Sequence, residues 1–108
     1  MQTLKIDENI EDLSGIEAFT NLETLDLTEA YSLENVDLSG NTQISNVDVS
    51  GNPAVQSLNI AGSSIETLDA SGCDNLKELD VSGCDELTTL DVSSTNITNL
   101  NVEGCTNL

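Results

Sequence analysis

The chain has 108 residues, 20 acidic side chains against two basic ones, and a formal net charge of −18. That length bounds it to one thin domain. The charge opposes nucleic acid and anionic membrane surfaces as partners and suits solubility, cations or a basic partner.

Hydrophobic residues make up 37% of the chain, enough for a core only if they stack in columns. Acid-rich chains are often disordered, but disorder lacks the regular apolar spacing described below. No run reaches transmembrane length, and the N-terminus lacks the basic and apolar regions of a signal peptide, so no membrane insertion is expected.

Taken in order, residues 1–9 read as a worn first unit, with Leu4 and Ile6 as its strand pair and Asn9 as its polar ninth position. Its start at Met1 lies 21 residues before Leu22. Residues 10–21 change period: Ile10, Leu13, Ile16 and Phe19 recur every three, which predicts a 3₁₀ or short α turn with Ser14 as its cap. Residues 1–21 are therefore a worn repeat plus a short helical turn, and 22–108 a single domain of repeats that reads as part of a longer array.

From Leu22 onward one pattern returns with starts at Leu22, Leu33, Ile44, Val55, Ile65, Leu76, Leu87 and Ile97, separated by 11, 11, 11, 10, 11, 11 and 10 residues. A fixed short period is the signature of a solenoid. Positions one, four and six are apolar, as in Leu76, Leu79 and Val81; the four-to-six spacing is strand alternation. Position five must then point outward: Asp26, Asp37, Asp48, Asn59, Asp69, Asp80, Asp91 and Asn101. Positions seven and eight are mostly Ser-Gly, a turn signal. Position nine is small and mostly polar (Asn41, Asn52, Ser63, Cys73, Cys84, Thr95, Cys105), suited to bonding carbonyls of a neighbouring turn.

One unit is too short to enclose a core, so two units make one coil. The starts at 22, 44, 65 and 87 stack on one face and those at 33, 55, 76 and 97 on the other. The predicted fold is a β-rich α/β solenoid. It is a right-handed parallel coil of about four turns, with strands or extended segments on both sides, little helix, and strands centred on Leu25, Val47, Leu68 and Leu90.

L-x-x-L-x-L-x-x-N/C is the leucine-rich-repeat consensus. Residues 10–27, I-E-D-L-S-G-I-E-A-F-T-N-L-E-T-L-D-L, resemble an internalin-type bacterial repeat, and the later L-x-x-L-D-V-S-G-C units resemble the cysteine-containing subclass of roughly 21 residues. Ala30, Thr95 and Ala70 depart from the pattern and suggest local softness. The resemblance implies a non-catalytic binding module from a secreted or surface-displayed bacterial protein. It also implies helical turns on the convex side, which makes the 22/44/65/87 face the concave one.

The candidate site is that face: Asp26, Asp48, Asp69 and Asp91, flanked at position three by Thr24, Asn46, Thr67 and Thr89. Carboxylates stacked about 5 Å apart repel. Solvent, hydroxyl bonds to Ser or Thr, or a bound cation must relieve this; Asp80–Glu86 is rich in oxygen ligands but does not match a calcium loop. Cys73, Cys84 and Cys105 lack close zinc spacing, a histidine base and an even count, so they read as buried ladder thiols. Catalysis has little to work with: paired carboxylates alone would need a cleft with a tuned acid, and no aromatic sugar platform is visible. Asn96-Ile97-Thr98 fits a glycosylation acceptor.

No catalytic residue, metal or cofactor is expected. The expected partner is a protein, a basic one suiting the charge, and a second expectation is end-to-end self-association through an uncapped C-terminal end. The rival reading is a structural spacer or designed scaffold without its own ligand, favoured by scarce aromatic anchors.

Overall fold

A computed structural model describes residues 2–108; the unit start assigned to Met1 lies outside the described residues. Nine short strands wind as a coil: β1 (Gln2–Lys5), β2 (Leu22–Asp26), β3 (Asn35–Asp37), β4 (Asn46–Asp48), β5 (Ser57–Asn59), β6 (Thr67–Asp69), β7 (Glu78–Asp80), β8 (Thr89–Asp91) and β9 (Asn99–Asn101). Every recorded pairing is parallel and joins residues one coil apart, such as Thr24 with Asn46 and Leu58 with Leu79.

The first face carries β1, β2 and β4 as one sheet and β6 and β8 as another. β4 lies beside β6, and the two coils are joined at their corners by Ser64 N–H to Ile44 O and Gly51 N–H to Ser71 O. The second face is one sheet, β3-β5-β7-β9. Strands therefore line both sides, and each expected centre falls within its strand. Five strands stack on the first face, so the solenoid has about five turns where the repeat count predicts about four. The extra turn comes from β1, whose pairing with β2 completes a coil.

The apolar positions do fill the interior. Positions one, four and six are buried from Leu22 through Leu87, and no polar side chain among them needs a partner. Ala30 and Ala70 are fully buried, so these departures shorten a core side chain without opening the wall. Burial fades in the last coil: Leu90, Val92 and Ile97 are partly covered, and Leu100 and Val102 are 46% and 38% exposed.

The N-terminal segment differs from the reading in two details. A 3₁₀ turn does form at Ile16–Ala18, but Gly15, at φ 90°, caps it without any side-chain bond. Ser14 instead donates its N–H to Asp12 Oδ1 at 2.6 Å, stabilising the bend before the turn. Of the period-three residues only Ile16 is buried, while Ile10 and Phe19 are exposed. Asn9 is exposed too and donates its N–H to Asp7 Oδ1; it does not enter a ladder, having no described coil beyond it to supply carbonyls.

Candidate functional site

Position five does two jobs at once. Each aspartate there stands at the end of a strand whose chain must turn sharply within three residues. Its Oδ1 accepts the N–H of the residue two places on, and usually that residue's hydroxyl as well, closing an Asx-type turn. Asp26 Oδ1 takes Thr28 N–H at 2.9 Å and Thr28 O–H at 2.6 Å. The same pair of bonds joins Asp37 to Ser39, Asp48 to Ser50, Asp69 to Ser71 and Asp91 to Ser93.

Where position seven lacks a hydroxyl, position five is asparagine. Asn59 Oδ1 accepts only Ala61 N–H, and Asn101 Oδ1 only Glu103 N–H, each at 3.0 Å. A carboxylate accepts charge-assisted bonds more strongly than an amide does, so the acid accompanies a hydroxyl residue at position seven, although Asp80 takes only the N–H of Ser82. These bonds hold the carboxyls of Asp26, Asp37 and Asp91 below the usual carboxylate range, the hydroxyl bond contributing most and the backbone N–H next.

The structure gathers all eight candidate residues on the first face as two columns. Thr24 and Asn46, Asp26 and Asp48, Thr67 and Thr89, and Asp69 and Asp91 are register partners. The relief of charge by hydroxyls is real, but the donors are Thr28, Ser50, Ser71 and Ser93 at position seven, not the flanking residues at position three. The bonds to these aspartates all fall on Oδ1, and the residues themselves are exposed at Asp48, Asp69 and Asp91 and half-buried at Asp26. At the head of the column stands a cation: Lys5 pairs in register with Asp26 and forms an ion pair with Glu29 at 3.2 Å.

Position nine forms the expected ladder at its asparagines and cysteines, but Ser63 meets Cys84 Sγ at 3.4 Å and Thr95 donates its hydroxyl to Val92 O within its own turn. Asn52 Nδ2 donates to Leu27 O at 2.7 Å and Ala30 O at 3.3 Å, one coil back, and its Oδ1 accepts Ala54 and Val55 N–H. Asn41 donates likewise to Ile16 O and Phe19 O, but its buried Oδ1 has no partner. Further along, thiols replace amides: Cys73, Cys84 and Cys105 donate to Val49 O, Ile60 O and Val81 O at 3.0, 3.2 and 3.0 Å. A thiol needs no acceptor bond in return, so these rungs leave nothing orphaned. All three are free; Cys73 and Cys84 are buried and Cys105 partly so. Burial pushes the Cys73 and Cys105 thiols up, which keeps them protonated donors.

A second, outer ladder escaped the sequence reading. Asn75, Asn96 and Asn107 donate from Nδ2 to Pro53 O, Asp74 O and Asp85 O, each 22 residues back. They precede the apolar first position of a unit, and the alternation of ten- and eleven-residue units hid that shared place. The Asn96 amide of the possible glycosylation acceptor is thus engaged in this ladder.

A groove of about 700 Å³ lies at the N-terminal end of the second face, lined by Glu11, Asp12, Glu17, Glu34 and Asp37 among others. None of the eight candidate residues lines it. Among the described residues, no group of three or more His, Cys, Asp or Glu side chains is placed to hold a metal ion. The single helical turn belongs to the corner stacked on Asn41, so neither face has helices along its length and the helical convention marks neither as convex.

No curated protein and no solved structure matches the chain. A family model does: the endo-beta-N-acetylglucosaminidase EndoS LRR domain, over residues 1–83. With parallel strands recurring every 21 or 22 residues and an apolar core in columns, the chain belongs to this leucine-rich-repeat domain family.

Proposed function

We propose that the chain is a non-catalytic leucine-rich-repeat module that offers its first face to a basic segment of a partner protein, in a secreted or surface-displayed bacterial protein. The observation that carries this reading is the column Asp26, Asp48, Asp69, Asp91. Each carboxylate is fixed by its own turn through Oδ1, so little side-chain freedom is lost when Oδ2 meets a cation. Carboxylates about 4.8 Å apart suit lysine or arginine side chains, which would also relieve their repulsion. Thr24, Asn46, Thr67 and Thr89 lie beside them as neutral hydrogen-bonding groups. An endo-beta-N-acetylglucosaminidase carries a domain of this family, which fits an accessory role beside a catalytic unit.

The spacer reading has its own support. Every position-five residue is already used by its turn, and the exposed aromatics Phe19 and Tyr31, each 51% exposed, lie outside the strands. Titration of the labelled protein with a lysine- and arginine-containing peptide at physiological ionic strength separates the two. The binding reading expects NMR shifts on the first face, reduced more by Asp48→Asn/Asp69→Asn than by Asp37→Asn/Asp80→Asn on the second. No shifts, or equal loss from both pairs, would favour the spacer.

A further inference from the structure

Between the first coil and the second, the second face leaves a strand edge open. In the sheet β3-β5-β7-β9, β3 pairs with β5 alone. Leu38 N–H goes to Asn59 O and Ser57 N–H to Glu34 O, so residues 34, 36 and 38 turn their backbone groups towards β5. Backbone groups alternate sides along a strand, so the N–H and C=O of Asn35 and Asp37 point the other way.

On that side the first coil supplies a wall but no strand. Ser14 N–H bonds Asp12 Oδ1 and Ile16 N–H bonds Leu13 O, folding the stretch into turns that lead to Ile16–Ala18. The walls close at Gly40, where an added Cβ would come within 3.1 Å of Glu17 Cβ. Around Asn35 and Asp37 they stand apart and enclose the groove of about 700 Å³, a size typical of ligand clefts. Both walls are described residues, so further coils at either end would stack outside this gap and leave it as it is. Its lining includes the acids Glu11, Asp12, Glu17, Glu34 and Asp37 and no lysine or arginine. These carboxylates repel the acidic strands of another copy and favour a cationic strand, whose side chains they can pair while the edge bonds its main chain.

We infer that this groove takes a lysine- or arginine-bearing extended segment of a partner protein as an added strand on β3. The main chain of the segment bonds the N–H and C=O of Asn35 and Asp37, and its cations meet Glu11, Glu17 and Glu34. The site is separate from the aspartate column of the first face and does not rest on that reading. Charge supplies part of the attraction, so binding weakens as salt rises.

NMR amide exchange on the full chain tests this with a short capped peptide alternating lysine and valine. A second peptide, N-methylated at alternate residues, keeps the charge and loses strand-forming N–H groups. Without peptide, the Asn35 and Asp37 amides exchange freely while Val36, bonded to β5, is protected. Saturating peptide slows Asn35 and Asp37 by about tenfold or more. The N-methylated peptide binds the wild type about tenfold more weakly, and so does the parent peptide to Glu11→Lys/Glu17→Lys, whose circular dichroism spectrum is unchanged. Should that variant misfold, the two peptides on the wild type decide alone. Protection of Asn35 and Asp37 before peptide is added overturns the inference, because the edge is then already paired. Equal binding of the two peptides overturns it too, reducing the contact to charge attraction, and so does no binding at all. Shifts confined to Asp48 and Asp69 overturn it while sustaining the first-face reading; protection of Asn35 and Asp37 with no first-face shift does the reverse.

Discussion

The two faces share one core but differ in sheet continuity and in what they turn outward. Leu68 on the first face and Leu79 on the second are equally buried and occupy the same repeat position. Outside them, the first face stacks Asp26, Asp48, Asp69 and Asp91, while the second alternates Asp37, Asn59, Asp80 and Asn101. The alternation follows position seven. Ser39 and Ser82 accompany the acids; Ala61 and Glu103 accompany the amides. The difference teaches that the charge of a column is first a consequence of how each turn is closed, and only then a surface available to a partner.

If the core is common to both faces, Leu68→Ala and Leu79→Ala cost alike, about 2–5 kcal/mol each, because neighbouring coils cannot collapse into the cavity. Urea denaturation measures this. Leu100→Ala in the same column costs far less, since its side chain is already half exposed. A loss below about half a kilocalorie at Leu79 would contradict the cavity cost expected of a buried core column.

The corners offer the next contrast. Gly83 turns the second-face corner at φ 70°, where an alanine Cβ would meet Gly62 only at 3.7 Å; the cost of Gly83→Ala is therefore backbone strain, about 1–2 kcal/mol. On the first-face corner Ser94 holds the same left-handed conformation, at φ 56°, where Gly51 and Gly72 stand in earlier coils. Ser94→Gly is expected to stabilise by about 0.5 kcal/mol, the strain relieved exceeding the entropy of glycine.

Much of this was legible beforehand. The period of ten or eleven residues assigns the core columns, both strand faces and most of the carbonyl-bonding ladder, because each kind of position recurs at one place in the unit. The rule linking position five to position seven is present in the sequence, with Asp before Ser or Thr and Asn before Ala61 and Glu103. The hydroxyls that relieve the aspartates were expected from Ser or Thr without a position, and the structure places them at position seven. Asn9 and Ser14 were misread for a different reason: both lie in the first turn, where no described coil stacks on the outer side and local bonds to Asp7 and Asp12 take over.

Charge separates the faces more gently. Adding monovalent salt raises the melting temperature by screening the columns. Asp48→Asn/Asp69→Asn should blunt that rise more than Asp37→Asn/Asp80→Asn does, because stacked neighbours are all acidic only on the first face. Equal salt slopes in the two variants would remove the electrostatic distinction. Calcium at equal ionic strength should add little; a large specific gain abolished by Asp69→Asn would reveal a bound cation.

Acid gives a smaller effect with a defined sign. The Ser93 bonds lower the carboxyl pKa of Asp91, as the Ser39 bonds lower that of Asp37. A depressed folded value means stability that is present above the ordinary carboxylate pKa of about 3.9 and is lost as pH falls through the folded value. The gap in melting temperature between the wild type and Ser93→Ala should therefore be full at pH 7 and close in acid. The second-face pair, Asp37 with Ser39→Ala, should behave the same way. A gap that persists in strong acid would mean the hydroxyl contributes independently of the carboxylate.

The most direct test of the turn account is a double-mutant cycle of Asp69→Asn with Ser71→Ala, followed by chemical denaturation. The pair is joined by an O–H bond and an N–H bond to the same oxygen. If the acid is there for the second donor, Ser71→Ala costs about 1 kcal/mol beside Asp69 and close to nothing beside asparagine, a coupling of similar size. Additive effects, with Ser71→Ala costing the same in both backgrounds, would contradict it.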